Sequence, residues 1–99
     1  MKNFKLSVTA EVNIDAIASF TDEAFGERQT EAYLSGLERS VELLSEFPGI
    51  GAAAFEIKQG WRRYRYQSHY IFYTEHDDYV LIEAIVHVRR QLGPDLFDN

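Results

Sequence analysis

The chain has no cysteine and only two prolines among its 99 residues. Without cysteine, a disulfide framework, a thiolate zinc site and a cysteine nucleophile are all excluded. A composition of 45% hydrophobic and 26% charged residues also excludes a collagen-like fibre and a disordered tail. The remaining class is a globular protein that buries about 65% of its surface on folding, which is enough for one domain over residues 1–99.

Long apolar runs and a secretion signal are missing as well. Residues 1–8 contain no extended apolar segment and no small-residue cleavage site. No stretch of about 18 apolar residues, the length a membrane-spanning helix needs, occurs anywhere in the chain. The sequence therefore predicts a protein of the cytoplasm.

Positive charge is scarce. Ten lysines and arginines stand against 16 acidic residues, for a formal net charge of −6, and residues 11–47 hold nine of the acids against two arginines. Such a charge repels a polyanion, so general nucleic-acid binding is not predicted. Residues 58–90 contain six of the ten basic residues, so a local basic face is possible on this acidic molecule.

The spacing of apolar residues predicts a strand followed by two helices. Residues 3–9 alternate apolar and polar side chains, as a half-buried strand does. From Ala10 the apolar positions recur at steps of three and four, which predicts an amphipathic helix with Thr9 as its N-cap. Gly26 ends that helix, and a second one continues to Pro48. Because the link at Gly26 is so short, the helices should form an antiparallel hairpin.

After the turn at residues 48–51, alternation returns and predicts four strands, around residues 55–58, 61–66, 68–73 and 79–88. The last is apolar on both faces and is expected in the interior of the sheet. Short turns make these strands an antiparallel meander, so the predicted fold is α+β, with the hairpin packed on one sheet face. The expected core residues are Ile14, Ile17, Phe25, Tyr33, Leu37, Leu44, Ile71, Ile82 and Val86.

Several short motifs occur in an order and spacing that resemble one known family. They are Leu6-Ser7, Phe25-Gly26, Pro48-Gly49-Ile50-Gly51, Gly60-Trp61-Arg62, Ser68-His69-Tyr70-Ile71-Phe72-Tyr73 and His87-Val88-Arg89-Arg90. Together they resemble the ParE branch of the RelE/ParE bacterial toxin superfamily, from the first strand to the arginine pair. The resemblance implies the toxin of a type II toxin–antitoxin pair, neutralised by a ParD-like antitoxin. It further implies inhibition of DNA gyrase, and hence of replication, without enzymatic activity or a cofactor.

Two alternative functions remain open. Glu56, Arg65 (or Arg62) and His87 resemble the glutamate, arginine and histidine of a messenger-RNA nuclease branch of the superfamily. In that reading Glu56 is the base and His87 the acid for cleavage at a ribose 2′-hydroxyl. The second alternative is a decayed toxin that only binds its antitoxin. The three histidines lie on separate segments, so no metal site is predicted, and for His69 a structural hydrogen bond is expected.

Candidate binding residues fall into two groups. The residues expected to bind the target are His87, Arg89, Arg90 and Arg62. Adjacent side chains on a strand point to opposite faces, so at least one of the paired arginines should reach solvent or a partner. The residues expected to bind the antitoxin are Val12, Ala16, Phe20, Leu34 and Trp61. The first four are apolar residues of the hairpin, which a thin two-layer domain cannot all cover. The apolar segment at residues 92–97 is expected to fold back on the sheet or to join the target interface.

Overall fold

The computed structural model describes residues 3–90, which form a helical hairpin on one face of a five-stranded sheet. The elements are β1 (Asn3–Leu6), α1 (Val8–Phe25), α2 (Glu27–Glu46), a short 3-10 helix (Pro48–Ile50), β2 (Ala52–Ala53), β3 (Arg62–Tyr66), β4 (His69–Glu75) and β5 (Tyr79–His87). The predicted α+β fold is thereby confirmed. None of the described helices is long and apolar enough to span a membrane. The predictions for residues 92–97 lie outside the described residues.

The sheet has the strand order β1-β5-β4-β3-β2. Strands β2 to β5 form an antiparallel meander as predicted, although its first strand is not the predicted one. Strand β5 has a neighbour on each side, which confirms its interior position. Strand β1 pairs in parallel with β5, with Asn3 opposite Tyr79. The sheet is therefore mixed, because the hairpin carries the chain away from β1 before the meander begins.

The start of α1 differs from the predicted one. Strand β1 ends at Leu6, and Ser7, not Thr9, is the N-cap of α1. The Ser7 hydroxyl accepts a hydrogen bond from the Ala10 amide at 3.0 Å and donates one to the Glu83 carbonyl at 2.7 Å. Ser7 therefore satisfies an open amide of the first turn of α1 and fastens that turn to β5.

The strand predicted around residues 55–58 is absent. The pairing residues are Ala52 and Ala53, and the chain then turns, with the amides of Ile57 and Lys58 both donating to the Ala54 carbonyl. Ile57 is buried while Phe55 is exposed. The alternation that predicted a strand reflects a turn packed on the sheet, with one side chain inward.

Two hydrophobic clusters lie on opposite faces of the sheet. The cluster under the hairpin contains Ala10, Ile17, Leu37, Val41, Leu44, Ile71, Tyr73, Val80, Ile82 and Ile85, with Ile14 and Tyr33 half-buried against it. The cluster on the other face contains Ala54, Ile57, Phe72, Ala84 and Val86. Most of the predicted core is therefore confirmed.

One of the predicted core positions is wrong, and another is in the core but on the other face of the sheet. Val86 is buried, as predicted, but on the sheet face away from the hairpin. The pairing register between β4 and β5 shifts between Phe72 and Tyr73. Ile82 and Ile85 therefore both face the hairpin, and the residues of β5 beyond the shift face the side opposite to the one that regular alternation predicts. Phe25 is exposed, because the last turn of α1 after Thr21 contributes nothing to the core.

Candidate functional site

An uncovered row of apolar side chains runs along the outer face of α1. Val8, Val12 and Phe20 are 78%, 61% and 68% exposed, and Ala16 between them is exposed as well. Residues four apart in a helix are surface neighbours, so these side chains form one continuous ridge. We refer to Val8, Val12, Ala16 and Phe20 as the α1 ridge.

The α1 ridge contains three of the five residues expected to bind the antitoxin. Leu34 is instead half-buried against the core cluster under the hairpin. Trp61 lies on the other face of the sheet, with its ring centroid 5.9 Å from that of Phe72. Sequence reasoning missed Val8 because it placed residue 8 in the first strand, although the four-residue spacing to Val12 was a usable signal.

Four aromatic and histidine side chains meet where α2 crosses the sheet. His69 and His87 are cross-strand neighbours with ring centroids 5.2 Å apart. The Tyr33 hydroxyl lies 2.6 Å from Nδ1 of His69, and Tyr66 donates to the Tyr33 carbonyl at 2.9 Å. The structural hydrogen bond expected for His69 is present. We refer to these four residues as the His69 cluster.

The His69 cluster disfavours the charged forms of its side chains. Burial, reinforced by the neighbouring His87, lowers the pKa of His69 from 6.5 to about 4. Burial also raises the pKa of the Tyr33 hydroxyl. His69 is therefore a neutral structural group at physiological pH, whereas the exposed His87 faces solvent.

The residues expected to bind the target are only partly brought together. Strand β5 ends at His87, and Arg89 and Arg90 are exposed in the turn that follows. The Arg89 amide donates to Nδ1 of His87 at 3.1 Å, and the Arg90 amide donates to the His87 carbonyl at 3.0 Å. The arginine pair therefore lies in a turn beside His87, and the prediction that at least one of the two arginines reaches solvent is confirmed.

Arg62 is separate from the arginine pair. Its guanidinium donates to the Gly51 carbonyl at 2.8 Å and is half-buried. The buried Tyr73 binds the same loop, because its hydroxyl accepts from the Gly51 amide and donates to the Pro48 carbonyl. Arg62 and Tyr73 therefore hold the loop between α2 and β2 against the sheet.

The residues of the nuclease alternative do not converge. Arg65 and Arg63 alternate with the hairpin-facing residues of β3, and Glu56 pairs with Arg63 at 3.4 Å on the sheet face away from the hairpin. The Arg65 side chain donates to the Gln67 carbonyl, whereas His87 lies beside His69 on the hairpin face. The sheet separates the candidate base from the candidate acid. Among residues 3–90, no three histidine, aspartate or glutamate side chains could share a metal ion.

The fold has a clear structural relative. A chain of the solved structure described as the chromosomal ParDE TA system from P. aeruginosa superposes with a TM-score of 0.78. The match covers 90% of this chain and 98% of that one at 18% sequence identity. A likeness at this identity establishes that the two chains share the fold.

Sequence comparison establishes the family. A family model described as the ParE toxin of the type II toxin–antitoxin system parDE matches residues 4–92. Toxin ParE1 of Caulobacter vibrioides is 32% identical over 73 residues, covering 74% of this chain and 76% of that protein. Toxin ParE1 of Mycobacterium tuberculosis is 33% identical over 70 residues, covering 71% of each chain. The protein belongs to the ParE toxin family.

Proposed function

We propose that this ParE toxin acts in the cytoplasm as a single domain that binds and inhibits DNA gyrase, and that a ParD-like antitoxin holds it inactive. Family membership supports both partners. The observation that carries a non-enzymatic mode of action is the separation of Glu56 from His87 by the sheet. General acid–base cleavage of RNA requires both groups at one scissile phosphate.

The turn at Arg89 and Arg90 is the part of this surface suited to the target. Both side chains are exposed, and the backbone of the turn is held by two hydrogen bonds to His87. Arg89 could instead pair internally with Glu83 or Glu56, but Thr74 donates to the Glu83 carboxylate and Glu56 pairs with Arg63. Among residues 3–90 no carboxylate pairs with either arginine, so both are available to form charge-assisted hydrogen bonds with carboxylates of gyrase.

The α1 ridge is the part of the surface suited to the antitoxin. It is apolar, it lies on a helix that is fixed to the sheet at Ser7, and it points away from the core. Exposed apolar patches on small soluble proteins mark contact sites, and an apolar ridge on a helix fits a partner helix laid along it. Contact with the α1 ridge explains why these side chains remain outside the core.

The experiment is a supercoiling assay with purified gyrase and toxin released from its antitoxin by denaturation and refolding. Inhibition that disappears when the antitoxin is added back is the expected result. A parallel assay for ribosome-dependent messenger-RNA cleavage should show no cleavage. Cleavage abolished by Glu56→Gln and His87→Gln would refute the proposal in favour of a nuclease, and loss of both activities with intact antitoxin binding would refute it in favour of a binding module.

A further inference from the structure

Acidic residues accompany the α1 ridge along its whole length. Helix α1 carries four carboxylates, and no lysine or arginine occurs between Val8 and Phe25. The four acidic side chains, Glu11, Asp15, Asp22 and Glu23, are all exposed. The apolar ridge is therefore bordered by negative charge.

The carboxylates are placed on one flank of the ridge. Residues three apart in a helix are surface neighbours, and Glu11, Asp15 and Glu23 each follow a ridge residue by three positions, on the same side of the ridge. Asp22 is not part of this flank, because at about 100° per residue it projects about 160° away from Phe20 around the helix axis. A partner laid along the ridge must therefore pass beside three carboxylates.

Nothing in the described part of the chain neutralises this flank. Among residues 3–90, the ion pair between Arg63 and Glu56 lies on the far side of the sheet, and none of the four α1 carboxylates forms one. The whole hairpin holds nine acidic residues against two arginines. The charge of the flank is therefore available to an incoming partner.

We infer that the occupant of the α1 ridge is a basic amphipathic helix, with lysines or arginines flanking its apolar face. The inference rests on the proposed antitoxin site and names the chemistry that the antitoxin segment must bring to it. The α1 ridge runs from Val8 to Phe20, about 18 Å along the helix axis, and a second helix can follow this inclined row with its own apolar side chains.

Charge complementarity selects the basic helix over the other possible occupants. An acidic helix would place like charges beside Glu11, Asp15 and Glu23, which costs affinity and slows encounter. A second copy of this chain would bring an identical acidic flank to the interface. A basic helix gains favourable contacts from the same three carboxylates, and these contacts weaken as salt rises.

The test uses two synthetic helical peptides with identical leucine faces, one flanked by lysines and the other by glutamates, titrated onto the full-length toxin. At about 50 mM salt the lysine peptide should bind at least about tenfold more tightly than the glutamate peptide, which corresponds to a few weak surface pairs. At about 1 M salt, where charges are screened beyond about 3 Å, the two affinities should converge.

Two triple variants with the same change in net charge separate local contact from the overall field. Glu11→Gln, Asp15→Asn and Glu23→Gln together should reduce the preference to about threefold or less. Glu38→Gln, Glu42→Gln and Glu46→Gln together, on exposed positions of α2, should leave it nearly unchanged. Melting temperatures verify that both variants are folded.

Equal binding of the two peptides, binding of neither, or an equal effect of both triple variants would overturn the inference. These outcomes differ from a failure of the proposed function. A toxin that binds its antitoxin through the α1 ridge but ignores the lysine peptide would refute only the basic helix. A toxin whose antitoxin binding is indifferent to Phe20→Asp would refute the proposed antitoxin site itself.

Discussion

The hydroxyl of Tyr33 lies 2.6 Å from Nδ1 of His69, so one hydrogen bond joins α2 to the first residue of β4. The rings of Tyr33 and His69 also meet edge to face, with centroids 5.6 Å apart. This contact is half-buried and His87 lies on its other side, so the neutral form of the His69 imidazole is more stable here than the charged form. A pH dependence of stability follows.

Stability should fall as the pH decreases from about 6.5 to about 4. The pKa of His69 is about 4 in the folded chain, against 6.5 for an ordinary histidine, so in this window the unfolded chain binds a proton that the folded chain does not. His69 thereby lowers the free energy of unfolding by up to about 3 kcal/mol. This loss should be complete near pH 4 and absent above pH 6.5. Urea unfolding across this range measures it.

His69→Gln should remove this part of the pH dependence, since glutamine does not titrate. His76→Gln is the matched control, because His76 is an exposed histidine near the turn between β4 and β5. Each variant is compared with the wild type at the same pH, so that the contribution of the carboxylates to the pH dependence of stability cancels. An unchanged slope in His69→Gln would contradict the assignment to His69.

Gly36→Ala should destabilise the protein by about 1–3 kcal/mol, although alanine normally favours a helix by about 1 kcal/mol. A β-carbon at position 36 would overlap the Tyr66 hydroxyl and lie 2.8 Å from its ring carbon Cζ. The Tyr66 hydroxyl is held by the Tyr33 carbonyl and cannot move away freely. Thermal unfolding tests this, with the exposed neighbour Ser35→Ala as control. A raised melting temperature for Gly36→Ala would show that no close approach exists.

Leu44→Ala should cost about 2–5 kcal/mol, because it empties a completely buried position under the hairpin. Its neighbour Leu43 is 37% exposed, and Leu43→Ala should cost less than about 1 kcal/mol. Chemical denaturation of the two variants provides a comparison of one residue type on two faces of one helix. Equal losses would mean that α2 is rotated relative to the sheet.

Phe20→Asp should weaken antitoxin binding by at least about tenfold while leaving the melting temperature close to that of the wild type. Phe55→Asp is a closely matched control, since both phenylalanines are 68% exposed but Phe55 lies outside the α1 ridge. Affinity is measured by titrating labelled antitoxin. If Phe55→Asp weakens binding as much as Phe20→Asp does, the α1 ridge is not the antitoxin site.

Arg89→Ala should weaken gyrase inhibition by about 5- to 100-fold, equivalent to about 1–3 kcal/mol for an arginine that meets a carboxylate of the target. Folding and antitoxin binding should be retained, because only the exposed side chain changes and the Arg89 amide still donates to His87. Arg28→Ala on the exposed face of α2 is the control. Full inhibition by a folded Arg89→Ala protein would show that the turn at Arg89 and Arg90 is not part of the surface that binds gyrase.

The helical hairpin was predictable because local rules decide it. Apolar residues at steps of three and four specify both helices, and Gly26 adopts a φ of 89° that other residues disfavour. The α1 ridge was also largely visible, since Val12, Ala16 and Phe20 repeat on a face that the core positions leave open. The arginine pair at residues 89 and 90 could be identified from its motif, although the sequence did not predict that β5 ends at His87.

The sequence alone therefore determined the order of elements, the acidic hairpin and most of the core, because these depend on the spacing of residues within single segments. The parallel pairing of β1 with β5, and the capping of α1 by a Ser7 that also binds Glu83, arise from contacts in the folded chain. The same holds for the register shift at Phe72 and Tyr73, which turns Val86 to the far face, and for the placement of Glu56 and His87 on opposite sides of the sheet. Each of these depends on which strands meet and in what register, and contacts between distant segments leave no periodic trace in either segment.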